Sequence, residues 1–168
     1  GYYWDTNVST ENAEAVKSNY LKSMQKWANI NYYTYDESGY RTSNKIINLV
    51  QGTSTDYNII IYPVSLSDAV YNGMNYLALT GPKDFPELDI NNIIEHYHFD
   101  KWEMKVSVEA MAANTNYNEY VGAHEMGHVL GLRDADTCCS ASYYYHHEEL
   151  LMGYATPRST YAKYKDIA

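Results

Sequence analysis

The sequence predicts an α+β domain, and three observations lead there. Residues 10–27 carry apolar side chains at helical spacing, several strand-sized runs lie between 31 and 109, and a last helical stretch at 121–134 holds two histidines four positions apart. At 168 residues, one domain spanning 1–168 is expected, long enough to bury a real core.

Taken in order, Tyr2-Tyr3-Trp4 reads as a short first strand. Ala13, Val16, Tyr20, Met24 and Trp27 then recur every three or four residues among Lys17, Asn19, Lys22 and Gln25, with Ser9 or Thr10 as N-cap and Glu11 in the first turn. That predicts a helix laid over the core. Residues 31–35 alternate and are aromatic, hence a second strand, ended by Asp36-Glu37-Ser38-Gly39. Residues 45–51, with Ile46, Ile47, Leu49 and Val50, fit a short helix or a strand equally. After a turn-rich break at 52–56, residues 57–64 are the most continuous apolar run and predict the buried centre of the sheet, with Pro63 at the strand's end. Residues 75–79 follow a turn at Gly73, are bounded by Gly81-Pro82, and predict a short edge strand. Residues 84–92 read as loop, and 96–109, with Trp102, Met104, Val106 and Val108 alternating, as a further strand. Asn116 precedes Glu119 by three, a capping-box-like start for the helix that follows.

Composition narrows the function. With 12 basic against 21 acidic residues the formal charge is -9, which argues against a nucleic-acid partner. No apolar run approaches the eighteen or so residues of a membrane span. No membrane partner is expected. Residue 1 opens directly into Tyr-Tyr-Trp-Asp, so any signal peptide or inhibitory pro-segment is expected to have been removed or to be left out of this sequence. Cys138 and Cys139 are adjacent and are the only cysteines, which leaves a vicinal disulfide, two thiols, or one bond to another partner equally open.

The chemistry concentrates in Val-Gly-Ala-His-Glu-Met-Gly-His-Val-Leu-Gly-Leu-Arg-Asp at 121–134. His124 and His128 leave the same helix face about one turn apart, close enough to share a cation. Glu125 lies beside the first histidine, where a carboxylate can reach a metal-bound water without being a ligand. Gly131 stands where a helix can stop in the left-handed conformation, and Asp134, three residues on, would return beneath the metal as third ligand. The expected metal is one zinc ion, held by His124, His128 and Asp134, with Glu125 as general base.

The full pattern H-E-x-x-H-x-x-G-x-x-D, followed by Leu-Leu-Met-Gly-Tyr at 150–154, resembles the metzincin zinc endopeptidases, and its aspartate resembles the snapalysin-type members. His-Phe-Asp at 98–100 followed by Trp102, and the Leu-Ala step on the edge strand, look like the matrixin branch. The resemblance implies a zincin-like fold: a twisted mixed sheet of about five strands, a backing helix, an active-site helix, and a Met-turn below the zinc. It divides the domain into 1–131, with sheet and active helix, and 132–168, with third ligand and Met-turn. It implies a secreted, monomeric endopeptidase acting on proteins or peptides through a zinc-bound water. Met152 would form a thioether floor under the metal, and Tyr154 matches a tyrosine that stabilises the oxyanion in astacin-like and serralysin-like members. The edge strand 75–79 would pair with extended substrate. In matrixins the histidine matching His98 serves a structural zinc, but the other ligands of that site are not recognisable; calcium is left open. Residues 135–149, with His146 and His147, have no counterpart, and 165–168 resemble the start of the terminal metzincin helix, so the native chain is expected to continue.

Two other readings stand beside this one. Glu148, twenty positions after His128, fits the third ligand of a thermolysin-type zinc peptidase, a scheme with no use for Gly131 or the Met-turn. A catalytically silent, zinc-stabilised binding module is the second, and the intact Glu125 weighs against it.

Overall fold

A computed structural model describes residues 1–6, 12–84, 99–113 and 120–134. Ser9, Thr10, Glu11, the loop from 85 to 92, His96, His98, Asn116 and Glu119 lie outside them, as do Asp136, Cys138, Cys139, His146, His147, Glu148, Met152, Tyr154 and 165–168. The described chain is α+β, with a mixed main sheet of four strands. Their order is β1 (Tyr2–Trp4), β4 (Ile59–Val64), β8 (Trp102–Ser107) and β7 (Ala78–Pro82). β1 and β8 run parallel to β4, and β7 runs antiparallel to β8. The central β4 is buried at Ile59, Ile60 and Ile61, as its continuous apolar run requires of a strand covered on both faces.

Helix α1 (Ala13–Met24) lies across this sheet. Val16, Tyr20 and Met24 are buried along one stripe, which Trp27 continues in a following 3-10 turn, while Glu14 and Lys17 pair on the solvent side. The Tyr20 hydroxyl donates to Met104 Sδ at 3.4 Å and so joins α1 to β8. The core fills the space between this helix, α3 (Val121–Val129), and the side chains of Ile59, Ile61, Trp102, Met104 and Val106.

Four expectations need correction in detail. Strand β2 (Asn31–Tyr35) forms where expected, but it pairs with an unanticipated β3 (Arg41–Lys45) in a separate two-stranded ribbon instead of joining the main sheet. Asp36 closes that ribbon locally: Oδ1 accepts from the Ser38 hydroxyl at 2.6 Å and from the Tyr40 and Ser38 amides at 2.8 and 3.0 Å. With tyrosine, threonine and asparagine on both faces, every residue of β2 stays exposed. Of the open stretch 45–51, Lys45 ends β3, residues 46–50 are neither helix nor strand, and Gln51 makes a single bridge to Tyr2.

The edge strand is displaced by three residues, to Ala78–Pro82, so Gly81 and Pro82 are inside it. Proline is tolerated there for a geometric reason. Ser107 N–H donates to Leu77 O and Lys83 N–H to Lys101 O, so the odd positions of this ladder face β8 and the even ones face away. The nitrogen of Pro82 therefore points to the free edge, where no ladder bond is lost. Asn75, expected in that strand, instead ends β6 (Met74–Asn75), which pairs with β5 (Val70–Tyr71) across Asn72 and Gly73, both at positive φ. Strand β8 is shorter than 96–109: after Ser107 the chain enters α2 (Val108–Ala113), and Val108 is buried on that helix.

Candidate metal centre

Helix α3 (Val121–Val129) brings the ligands in, and every residue from Val121 to His128 on it is buried. Its first turn lacks a side-chain cap of its own. α1 supplies one from 100 residues away: Ser23 Oγ accepts the Ala123 N–H at 3.0 Å, the bond an N-cap side chain would ordinarily make. Trp27 Nε1 donates to the Ala123 carbonyl at 2.7 Å, so both backbone groups of the residue before His124 are held. The helices touch at Gly122, where a Cβ would meet the Tyr20 carbonyl oxygen at 2.4 Å. Only glycine permits this approach.

The helix stops as its sequence predicts. Gly131 has φ +88, its N–H donates to His128 O at 2.9 Å, and Leu132 N–H donates to Gly127 O at 3.0 Å. This is a Schellman ending, which needs a left-handed residue at that position. The reversal swings Asp134 under the helix. Asp134 Oδ1 lies 3.1 Å from His124 Nε2 and 3.6 Å from His128 Nε2, and the two rings stand nearly perpendicular, 4.9 Å apart.

His124, His128 and Asp134, all buried, can hold a metal ion, since one ligand atom from each lies within 4.8 Å of the others. The tautomer of His128 makes the case chemically. Its Nδ1 lies 2.8 Å from the Leu132 carbonyl, which can only accept, so Nδ1 carries the hydrogen and neutral His128 presents a bare Nε2 to a carboxylate oxygen. Two lone-pair atoms facing one another in a buried space are reconciled by a positive charge between them, a proton or a metal ion. The Leu132 bond also fixes the ring, as partners behind metal ligands commonly do.

Glu125 is buried beside this group without belonging to it. Its charge reaches two tyrosines. Burial, and then Glu125, hold the Tyr20 phenol well above its ordinary pKa; burial, followed by Glu103, Asp68 and Glu125, raises that of Tyr76. Tyr20 therefore remains a proton donor beneath the site.

His124, His128 and Asp134 are thus brought together by α3 and the turn after it, and Glu125 is buried next to His124 on the same helix. Glu148, Met152 and Tyr154 lie outside the described residues. Sequence reasoning missed Ser23 and Trp27 as holders of α3. The available signal was Ser23 itself, a hydroxyl set among the apolar residues of α1. No protein-family model, curated protein or solved structure matches the chain.

Proposed function

We propose that this protein is a zinc-dependent endopeptidase of the metzincin type, secreted, with His124, His128 and Asp134 as metal ligands and Glu125 as general base. The observation that carries the reading is a buried carboxylate, Glu125, beside a two-histidine, one-aspartate group that it does not join. The same donor types serve iron(II) oxygenases as well as zinc hydrolases. A neighbouring proton acceptor favours hydrolysis, because activating water requires one. Spacing supports zinc: two ligands each about 2.0–2.1 Å from a tetrahedral zinc stand about 3.3 Å apart, and Asp134 Oδ1 lies 3.1 and 3.6 Å from the two imidazole nitrogens.

A zinc ion held there would polarise the scissile carbonyl and lower the pKa of water toward about 7. The chain's own residues do the rest. A Glu125 carboxylate oxygen takes one proton of the attacking water as the C–O bond forms, then delivers it to the amide nitrogen as the C–N bond breaks, leaving a carboxylic acid and an amine, which at neutral pH become carboxylate and ammonium as the acid proton passes to the amine. Substrate is gripped along β7. Among the described residues β7 is an edge of the main sheet, and the N–H and C=O groups of Ala78 and Thr80 face away from β8, free to pair with an extended peptide.

Hydrolysis of casein by the zinc-loaded full chain, with and without a chelator, tests the reading. Expected are chelator-sensitive cleavage and a loss of about 10²–10⁴-fold in Glu125→Ala. A wild type that binds one zinc and cuts nothing makes the protein a zinc-stabilised binding module. Loss of zinc on replacing Glu148 but not Asp134 by alanine makes it a thermolysin-type peptidase.

A further inference from the structure

Between β4 and β7 the chain makes a tight excursion that the metal centre does not use. Ser65 Oγ bonds Asp68 Oδ2 at 2.6 Å, Asn75 Nδ2 donates to the carbonyls of Leu66 and Ala69 at 2.8 and 3.2 Å, and Tyr76 N–H donates to Ala69 O at 3.1 Å. This framework holds apolar side chains out in solvent. Tyr71 and Met74 are a direct cross-strand pair on the β5–β6 hairpin, 40% and 72% exposed, and Val70 next to them is 49% exposed. Large apolar groups gathered on a braced hairpin mark an interaction surface.

We propose that this hairpin is an outlying part of the substrate cleft, which takes apolar side chains of a polypeptide that lies along β7 and continues past its beginning. The proposal rests on the peptidase reading above and adds a substrate class: extended chains with apolar residues at a distance from the cut.

Three observations select that occupant. Strand β6 leads through Tyr76 and a bend at Leu77 into β7, so a chain paired with Ala78 and Thr80 reaches the hairpin within two to four residues, at most about 7–13 Å at 3.3 Å per residue. Strand β7, into which the hairpin leads, packs against α3, the helix that carries the catalytic carboxylate. No residue from 69 to 82 is charged, in a chain with 12 basic and 21 acidic residues. Hairpin and edge strand therefore share one uncharged stretch, suited to an apolar segment and unsuited to an ionic partner.

The test uses the zinc-loaded full chain carrying Glu125→Gln, so that bound peptides persist. Fluorescence anisotropy gives the affinity for a labelled hexapeptide extended by three leucines or by three serines, at its N-terminal or its C-terminal end. At one end the leucine extension is expected to bind at least tenfold more tightly than the serine extension. Tyr71→Ser with Met74→Ser should shrink that ratio below threefold, with the unfolding midpoint unchanged because both side chains are exposed. Equal affinity for leucine and serine at both ends, or a ratio that survives the double substitution, overturns the proposal. A leucine preference with no casein hydrolysis by the wild type would leave the hairpin site standing and remove the peptidase, whereas hydrolysis without the preference would do the reverse.

Discussion

Replacing Ser23 by alanine isolates the brace that α1 gives the active helix. The substitution deletes one oxygen and leaves the Ala123 N–H, in a buried setting, without the acceptor that now lies 3.0 Å away. A buried donor left unmet costs about 1–3 kcal/mol. Alanine returns about 0.5 kcal/mol through its better helix propensity, so the net expectation is a loss of about 0.5–2.5 kcal/mol. Ser18, exposed on the same helix, supplies the control, because Ser18→Ala receives the propensity gain alone. Equilibrium urea unfolding with chelator present, compared at constant m, reads the difference between the two variants as the value of the bond. Zinc affinity of the folded variants, from competition with a chromophoric chelator, then reports whether the brace also sets the position of His124. Should both serine variants shift the midpoint alike, the cross-helix cap has no energetic role and the account of α3 given above is wrong.

Other substitutions probe separate links. Gly131→Ala forces a side chain into φ +88 and should cost about 1–2 kcal/mol by backbone strain alone, since nothing lies within 4 Å of the added carbon; Gly131→Asn should recover part of it, and a fully stable alanine variant would contradict the Schellman ending. Thr80 is buried and, among the described residues, its hydroxyl has no hydrogen-bond partner, so Thr80→Val should raise stability by about 1 kcal/mol, and a loss in urea unfolding would mean that the hydroxyl has a use. At the tip of the β2–β3 ribbon, the Ser38 hydroxyl first, and the Tyr40 amide next, pull the Asp36 pKa below its ordinary 3.8. A depressed folded value means that the turn is fully supported above the unfolded pKa and loses that support as pH falls through the folded one. The amide resonances of Ser38 and Tyr40 should titrate with a midpoint under 3.8 and stop doing so in Asp36→Asn; a midpoint at or above 3.8 would show that the bonds carry no weight.

The candidate metal centre was legible because its determinants are local. His124, Glu125, His128, Gly131 and Asp134 fall within eleven residues, and helix periodicity plus the conformational freedom of one glycine fix their relative placement. The sheet was read less well where long-range pairing decides. Residues 31–35 have the alternation of a sheet strand, yet nothing in them distinguishes the main sheet from a ribbon with 41–45; the Asp36 turn settled it by closing locally. The edge strand moved because Pro82 was read as a terminator, although in an antiparallel ladder half the nitrogens point outward. Val108 would be inward-facing on a continued strand and is buried on the helix that replaces it, so the hydrophobic pattern alone could not mark the switch.

The compactness of the ligand set in sequence has a kinetic side. Drawing Asp134 back to His124 closes a loop of only ten residues, which costs far less chain entropy than joining α3 to α1 across about a hundred. Gathering a cation and orienting the helix that carries it are therefore separable events. Capture needs one short segment, whereas orientation waits for α1 and α3 to meet.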